Sequence, residues 1–127
     1  MGKPVNSNVN RAEAGGMNTK VNKEVFEAFK DTCAYTGFPM NMILESFMRQ
    51  YSNGRFKLSD SDIMKFKNDG KPDGVLNTTI NKEVHAKFVF ACRKNGYFVR
   101  YVITAFMEQF TSGQYVLEFV NVNDIEK

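Results

Sequence analysis

A single histidine, two cysteines and no long apolar run leave this 127-residue sequence with little of what most site chemistry needs. His85 alone gives a metal site or a histidine-based relay nothing to build on, because both need several partners at set spacings. Cys33 and Cys92 are too few for a disulfide scaffold and fall where helical spacing puts buried side chains, so reduced, inert thiols are expected. No apolar stretch approaches the ~18 residues of a membrane span. The N-terminus, with Lys3, Pro4 and three Asn by position 10, lacks the apolar centre of a signal peptide, and Asn6 interrupts the acylation pattern that opens at Gly2. A cytoplasmic chain without membrane contact is the expectation. No glycine loop that would cradle a phosphate is found, nor a nucleophile with a plausible base. The sequence therefore predicts neither an enzyme nor a bound cofactor.

Charge of either sign is modest too: the net charge is +3, which permits polyanion binding without demanding it. Its distribution is uneven. Residues 1–58 carry eight Lys or Arg against five acids, residues 59–74 three against four, and residues 75–127 six against five. The acidic pairs Asp60-Asp62 and Asp69-Asp73 lack the spacing of a calcium loop and are expected to be solvated.

What the sequence does have is a duplication. Met17-Asn18-Thr19-Lys20-Val21-Asn22-Lys23-Glu24-Val25 returns fifty-nine residues later as Leu76-Asn77-Thr78-Thr79-Ile80-Asn81-Lys82-Glu83-Val84. Without a gap, residues 17–58 match 76–117 at 14 of 42 positions, including Phe29 with Phe88, Cys33 with Cys92, Gly37 with Gly96 and Phe47-Met48 with Phe106-Met107. Two copies are too few for a solenoid. Each is also smaller than a chain that usually closes a core alone, so the copies should share one.

Each copy reads as strand, helix, helix. Met17, Thr19 and Val21 alternate with Asn18 and Lys20, the period of a short strand. Asn22 then caps a helix with Glu24 in its first turn and apolar residues at Val25, Phe29, Thr32 and Cys33, ending at Gly37. A second helix starts near Pro39 with a wide apolar stripe over Ile43, Leu44, Phe47, Met48 and Tyr51. The second copy repeats this with Asn81 as cap, Gly96 as break, and Val102, Ile103, Phe106, Met107 and Phe110 as its stripe. Arg55 to Leu58 is expected to be extended, and Asp60 to Lys67 to form a short helix behind a Ser or Asp cap.

A five-residue strand cannot stand alone. Pairing Met17 to Val21 with Leu76 to Ile80, antiparallel, makes a ribbon with four helices on the face of Met17, Val21, Leu76 and Ile80. Asn18, Lys20, Asn77 and Thr79 then face outward. The major groove of B-form DNA admits such a ribbon, and amide, amine and hydroxyl side chains match its base edges. Any solvated strand face has similar residues, so the residues alone leave both readings open.

The arrangement resembles the ribbon-helix-helix family of the Arc and methionine repressors. Lys23-Glu24-Val25 and Lys82-Glu83-Val84 stand where the family has Pro-x-Glu-Leu or Pro-x-Glu-Val, with Asn22 and Asn81 in place of Pro. Gly37-Phe38-Pro39 and Gly96-Tyr97-Phe98 keep the Gly of the family's turn and lose its Ser. Two units in one chain resemble the tandem, TraY-type accessory proteins of plasmid conjugation. The resemblance implies a mainly α fold with a two-stranded antiparallel ribbon, built as an intramolecular pseudo-dimer. It implies a repressor, or an accessory factor of plasmid transfer or partition, that binds double-stranded DNA. Asn18, Lys20, Asn77 and Thr79 would read bases. The start of each second helix, at Met40 and Asn41 and at Val99 and Arg100, would grip phosphate. Lys20 against Thr79, and Gly16 against Val75, leave the two halves free to differ.

The expected organisation is an arm over 1–15, a first unit over 16–58, a linker over 59–74, a second unit over 75–120 and a tail over 121–127, with both units in one domain. Further copies side by side on DNA are expected partners. The alternative is an antitoxin-like adaptor with weak or lost DNA binding, docking on a protein through Tyr115, Leu117 and Phe119.

Overall fold

A computed structural model describes residues 14–67 and 72–113. Its elements run β1 (Ala14–Val21), α1 (Lys23–Thr36), α2 (Met40–Ser52), a short α3 (Asp60–Met64), β2 (Gly74–Asn81), α4 (Lys82–Lys94) and α5 (Val99–Ser112). The protein is mainly helical with a two-stranded antiparallel sheet, β1 against β2. No described helix is long and apolar enough to cross a membrane.

Both strands end the same way. The Asn22 Oδ1 accepts from the Val25 amide at 2.9 Å, and the Asn81 Oδ1 from the Val84 amide at 3.0 Å. Each asparagine thus satisfies an amide that the first helical turn leaves without a partner, and the chain switches from strand to helix there. At the other end of α1, Gly37 takes φ +84° and its amide bonds back to the Cys33 and Ala34 carbonyls, a left-handed stop that a side chain would strain.

The helices pack across the duplication. α1 lies chiefly on α5 and α2 on α4, so the apolar stripe of each sequence copy is buried by the other. At the centre the rings of Phe47 and Phe106, matching residues of the two copies, stack with centroids 4.1 Å apart and planes 8° from parallel. Phe29 meets Phe106 edge-on at 5.9 Å, and its counterpart Phe88 meets Phe47 edge-on at 5.5 Å. Offset stacks and edge contacts of this kind contribute about 0.5–1.5 kcal/mol per pair beyond the area they bury. Met17, Val21, Leu76 and Ile80 close the core from the sheet side, all fully or nearly fully buried.

Several details differ from the pattern expected of the sequence. The strands are longer than their alternation suggests, so β1 takes in the last two residues of the expected arm and β2 begins at Gly74. In α1 the core face is Phe26, Phe29 and Cys33, with Val25 and Thr32 only half-buried. The helical phase is set by what lies beneath, and Phe26 covers more apolar surface than Val25 could. Pro39 sits at the cap of α2 instead of inside its first turn. The linker is part of the core: its Ile63 and Phe66 are buried there, next to Phe56 from the end of the first unit. Asp60 is exposed, as expected, and Asp62 half-buried, and both are partnered with the second copy. The Tyr97 hydroxyl donates to Asp60, the Gln109 amide donates to Asp62, and Lys65 pairs with Glu108 at 2.7 Å. These bonds fasten α3 and the residue after it onto α5 and the turn before it.

Gly74 is required by packing. A Cβ built on it would lie 2.9 Å from the Lys23 Cα and 3.0 Å from the Val21 carbonyl oxygen, both backbone atoms that cannot step aside. Its match in the first copy, Gly15, would meet the flexible Lys82 side chain at 3.1 Å and backbone, the Ile80 carbonyl oxygen, only at 4.0 Å. Gly74→Ala is therefore expected to cost about 1–3 kcal/mol in urea unfolding, the range of an overpacked site. Gly16→Ala, which meets nothing within 4 Å, should stay within about 0.5 kcal/mol of the parent.

Burial pushes the Cys33 thiol up to about 11 and the Cys92 thiol up to about 12. Both are free, as expected of core thiols. Since the thiolate is the reacting form, native-state alkylation by iodoacetamide at pH 8 should run at least ~100-fold slower than in denaturant. Labelling followed by mass spectrometry measures the ratio.

Candidate nucleic-acid interface

In an antiparallel ribbon successive side chains point to opposite faces. With Met17, Val21, Leu76 and Ile80 turned to the core, Gly16, Asn18 and Lys20 of β1 and Val75, Asn77 and Thr79 of β2 are turned away from it, and all six are exposed. The four residues singled out as base readers, Asn18, Lys20, Asn77 and Thr79, thus share one outer face.

The register fixes their order on that face. Gly16 stands opposite Thr79, Asn18 opposite Asn77, and Lys20 opposite Val75. Asn18 and Asn77 are also matching residues of the duplication, so an axis exchanging the two strands residue for residue passes between them. Directly opposed side chains on a ribbon have Cβ atoms ~4.5–5.5 Å apart. The two carboxamides are therefore neighbours at the middle of the face. To one side lie Lys20 and Val75, and to the other Thr79 and Gly16.

The starts of α2 and α5 differ from those of α1 and α4. The caps are Pro39 and Phe98, and neither provides a side-chain bond to the helix. The Met42 and Tyr101 amides turn back to the Pro39 and Phe98 carbonyls, both at 3.1 Å. That leaves the amides of Met40 and Asn41, and of Val99 and Arg100, as the first donors of each helix. The Met40 and Val99 side chains pack against the core, while Asn41 and Arg100 are exposed. The missing amide of Pro39 falls at the cap, one residue before these donors. The Arg100 guanidinium lies 5.1 Å from the Phe98 ring centroid and 5.0 Å from that of Tyr101, a position that pre-orders its plane.

The two groups of candidates meet at one end of the ribbon. Lys20, Asn22, Lys67, Arg100 and Tyr101 line a single cleft of about 80 Å³. Lys67 is a residue that sequence reasoning passed over, since the linker has no second copy to compare with. Val75, noted in the sequence as the counterpart of Gly16, is 49% exposed on the same face, beside Lys20. Among the described residues no three His, Cys, Asp or Glu side chains gather as metal ligands would. Tyr115, Leu117 and Phe119, the docking residues of the adaptor reading, lie outside the described residues.

No protein-family model matches this chain, and neither a curated protein nor a solved structure does.

Proposed function

We propose that the chain is a sequence-specific binder of double-stranded DNA, a tandem ribbon-helix-helix protein whose two units form an internal pseudo-dimer and lay their shared ribbon in the major groove. The observation that carries this reading is the outer face of the ribbon, with its opposed Asn18 and Asn77 carboxamides flanked by Lys20 and Thr79. A major groove ~12 Å wide accepts a two-stranded ribbon, and a carboxamide can pair in bidentate fashion with adenine, an amine with guanine, and a hydroxyl with either kind of edge.

The exchange of helices between the two copies also supports the reading, because it makes one rigid body under the ribbon from a single chain. The early amides of α2 and α5 would hold phosphates on either side of the groove. A role as a repressor, or as an accessory at a plasmid transfer or partition site, fits a small protein that binds one site without chemistry.

Selection of bound duplexes from a random pool tests this directly. The expected result is an inverted, imperfect repeat. On the selected duplex, Lys20→Ala should weaken binding about 10-fold or more and relax preference at the base pair it faces, and added salt should weaken the parent steeply. A protein-docking module would keep its affinity for its partner through both changes.

A further inference from the structure

We infer that the ribbon enters DNA in one fixed orientation and reads a non-palindromic site, anchored at the end that carries Lys20. This rests on the groove-reading function proposed above and adds to it which half of the site is which.

A reader with equal halves presents the same residues at both ends of its ribbon. Here the centre is the same in either orientation, because Asn18 and Asn77 oppose each other. The ends are not. Lys20 and Val75 are cross-strand neighbours at one end, and their matches at the other are Thr79 and Gly16. The first end offers a long amine beside an apolar branched side chain, a pair suited to guanine acceptors and an adjacent thymine methyl. The second offers a short hydroxyl beside bare backbone.

The surroundings have the same bias. Lys67 and Arg100 share the cleft beside Lys20. At the other end the match of Arg100 is Asn41, and no second linker among the described residues supplies a match for Lys67. Lys23 and Lys82 lie near opposite ends, beside Gly74 and Gly15, and do not distinguish them. One exposed acid, Asp73, precedes β2 at the first end, against Lys20, Lys67 and Arg100, whereas at the other end Arg49 is paired with Glu45, whose carboxylate also accepts from the Asn81 amide. The phosphate contacts, which dominate affinity and its salt dependence, are therefore concentrated on one half of the site.

Two double variants, each making the ends alike, test the inference. Gly16→Val with Thr79→Lys copies the first end onto the second, and a Cβ at Gly16 meets nothing within 4 Å. Lys20→Thr with Val75→Gly does the reverse. Each protein, checked for its fold by circular dichroism, is used to select from the same random duplex pool. The parent is expected to return two unlike halves about a common centre. The first variant should return both halves in the Lys20 form, and the second both in the Thr79 form. On the parent's selected duplex, replacing the Lys20 half by a copy of the other should cost the parent at least 10-fold in affinity. A palindrome selected by the parent, or the unchanged parental motif selected by both variants, overturns the fixed orientation and leaves groove reading intact. No enriched motif from any of the three folded proteins overturns both.

Discussion

Phe106→Ala is expected to remove about 3–5 kcal/mol of stability, the cost of deleting a large ring from a core that cannot collapse around the gap. Phe106 is fully buried and touches the rings of Phe47, Phe29, Phe56 and Phe110, so its loss opens a cavity where both copies converge. Native domains are stable by only ~5–15 kcal/mol, so this variant would be at or near the edge of folding. Phe47→Ala should behave alike, because Phe47 holds the matching place in the stack. Urea denaturation followed by far-ultraviolet circular dichroism reads the midpoints. The comparison is Phe90→Ala, at a ring 68% exposed, which should lie within about 0.5 kcal/mol of the parent. A midpoint for Phe106→Ala as high as that of Phe90→Ala would mean the two copies do not share one core.

Replacing both central asparagines should abolish sequence preference while leaving the fold intact. Each bidentate pairing with a base discriminates by about 1–3 kcal/mol, so Asn18→Ala or Asn77→Ala alone should lower affinity for the selected duplex by roughly 5- to 150-fold. The double variant should bind that duplex and a scrambled one equally, held only by phosphate contacts. Both positions are exposed and neither side chain supports the core, so thermal unfolding should hardly move. Fluorescence anisotropy with the two duplexes, at one fixed salt concentration, gives the ratio. A double variant that kept full preference would place sequence reading elsewhere on the molecule.

The sequence revealed the parts of the fold that recur. Asn22 and Asn81 announce the strand-to-helix switch because a cap is a local chemical requirement, and the alternation of Met17 to Val21 separates the two ribbon faces because each side chain has only two directions to take. The antiparallel pairing follows from two short strands that have no other edge to meet. The features that were not legible lack a repeat or a side-chain pattern. Gly15 and Gly74 belong to the strands but carry no alternation. The close approach that fixes Gly74 involves Lys23 and Val21, which only the folded geometry brings to it. Ile63 and Phe66 enter the core from a segment without a counterpart, and a short helix gives too few turns to reveal its buried face. On the outer ribbon, Asn18, Lys20, Asn77 and Thr79 could be named from period two alone, whereas the neighbourhood of Lys20, Lys67 and Arg100 depends on where the linker crosses α5.

The central claim is that the outer face of the ribbon lies against base edges. Intermolecular nuclear Overhauser effects, recorded on isotope-labelled protein bound to its selected duplex, test it most directly. The account predicts contacts from the side-chain amides of Asn18 and Asn77 and the methylenes of Lys20 to major-groove base protons. Contacts confined to the groove between α2 and α4 around Phe90, with the ribbon resonances unchanged by DNA, would contradict it.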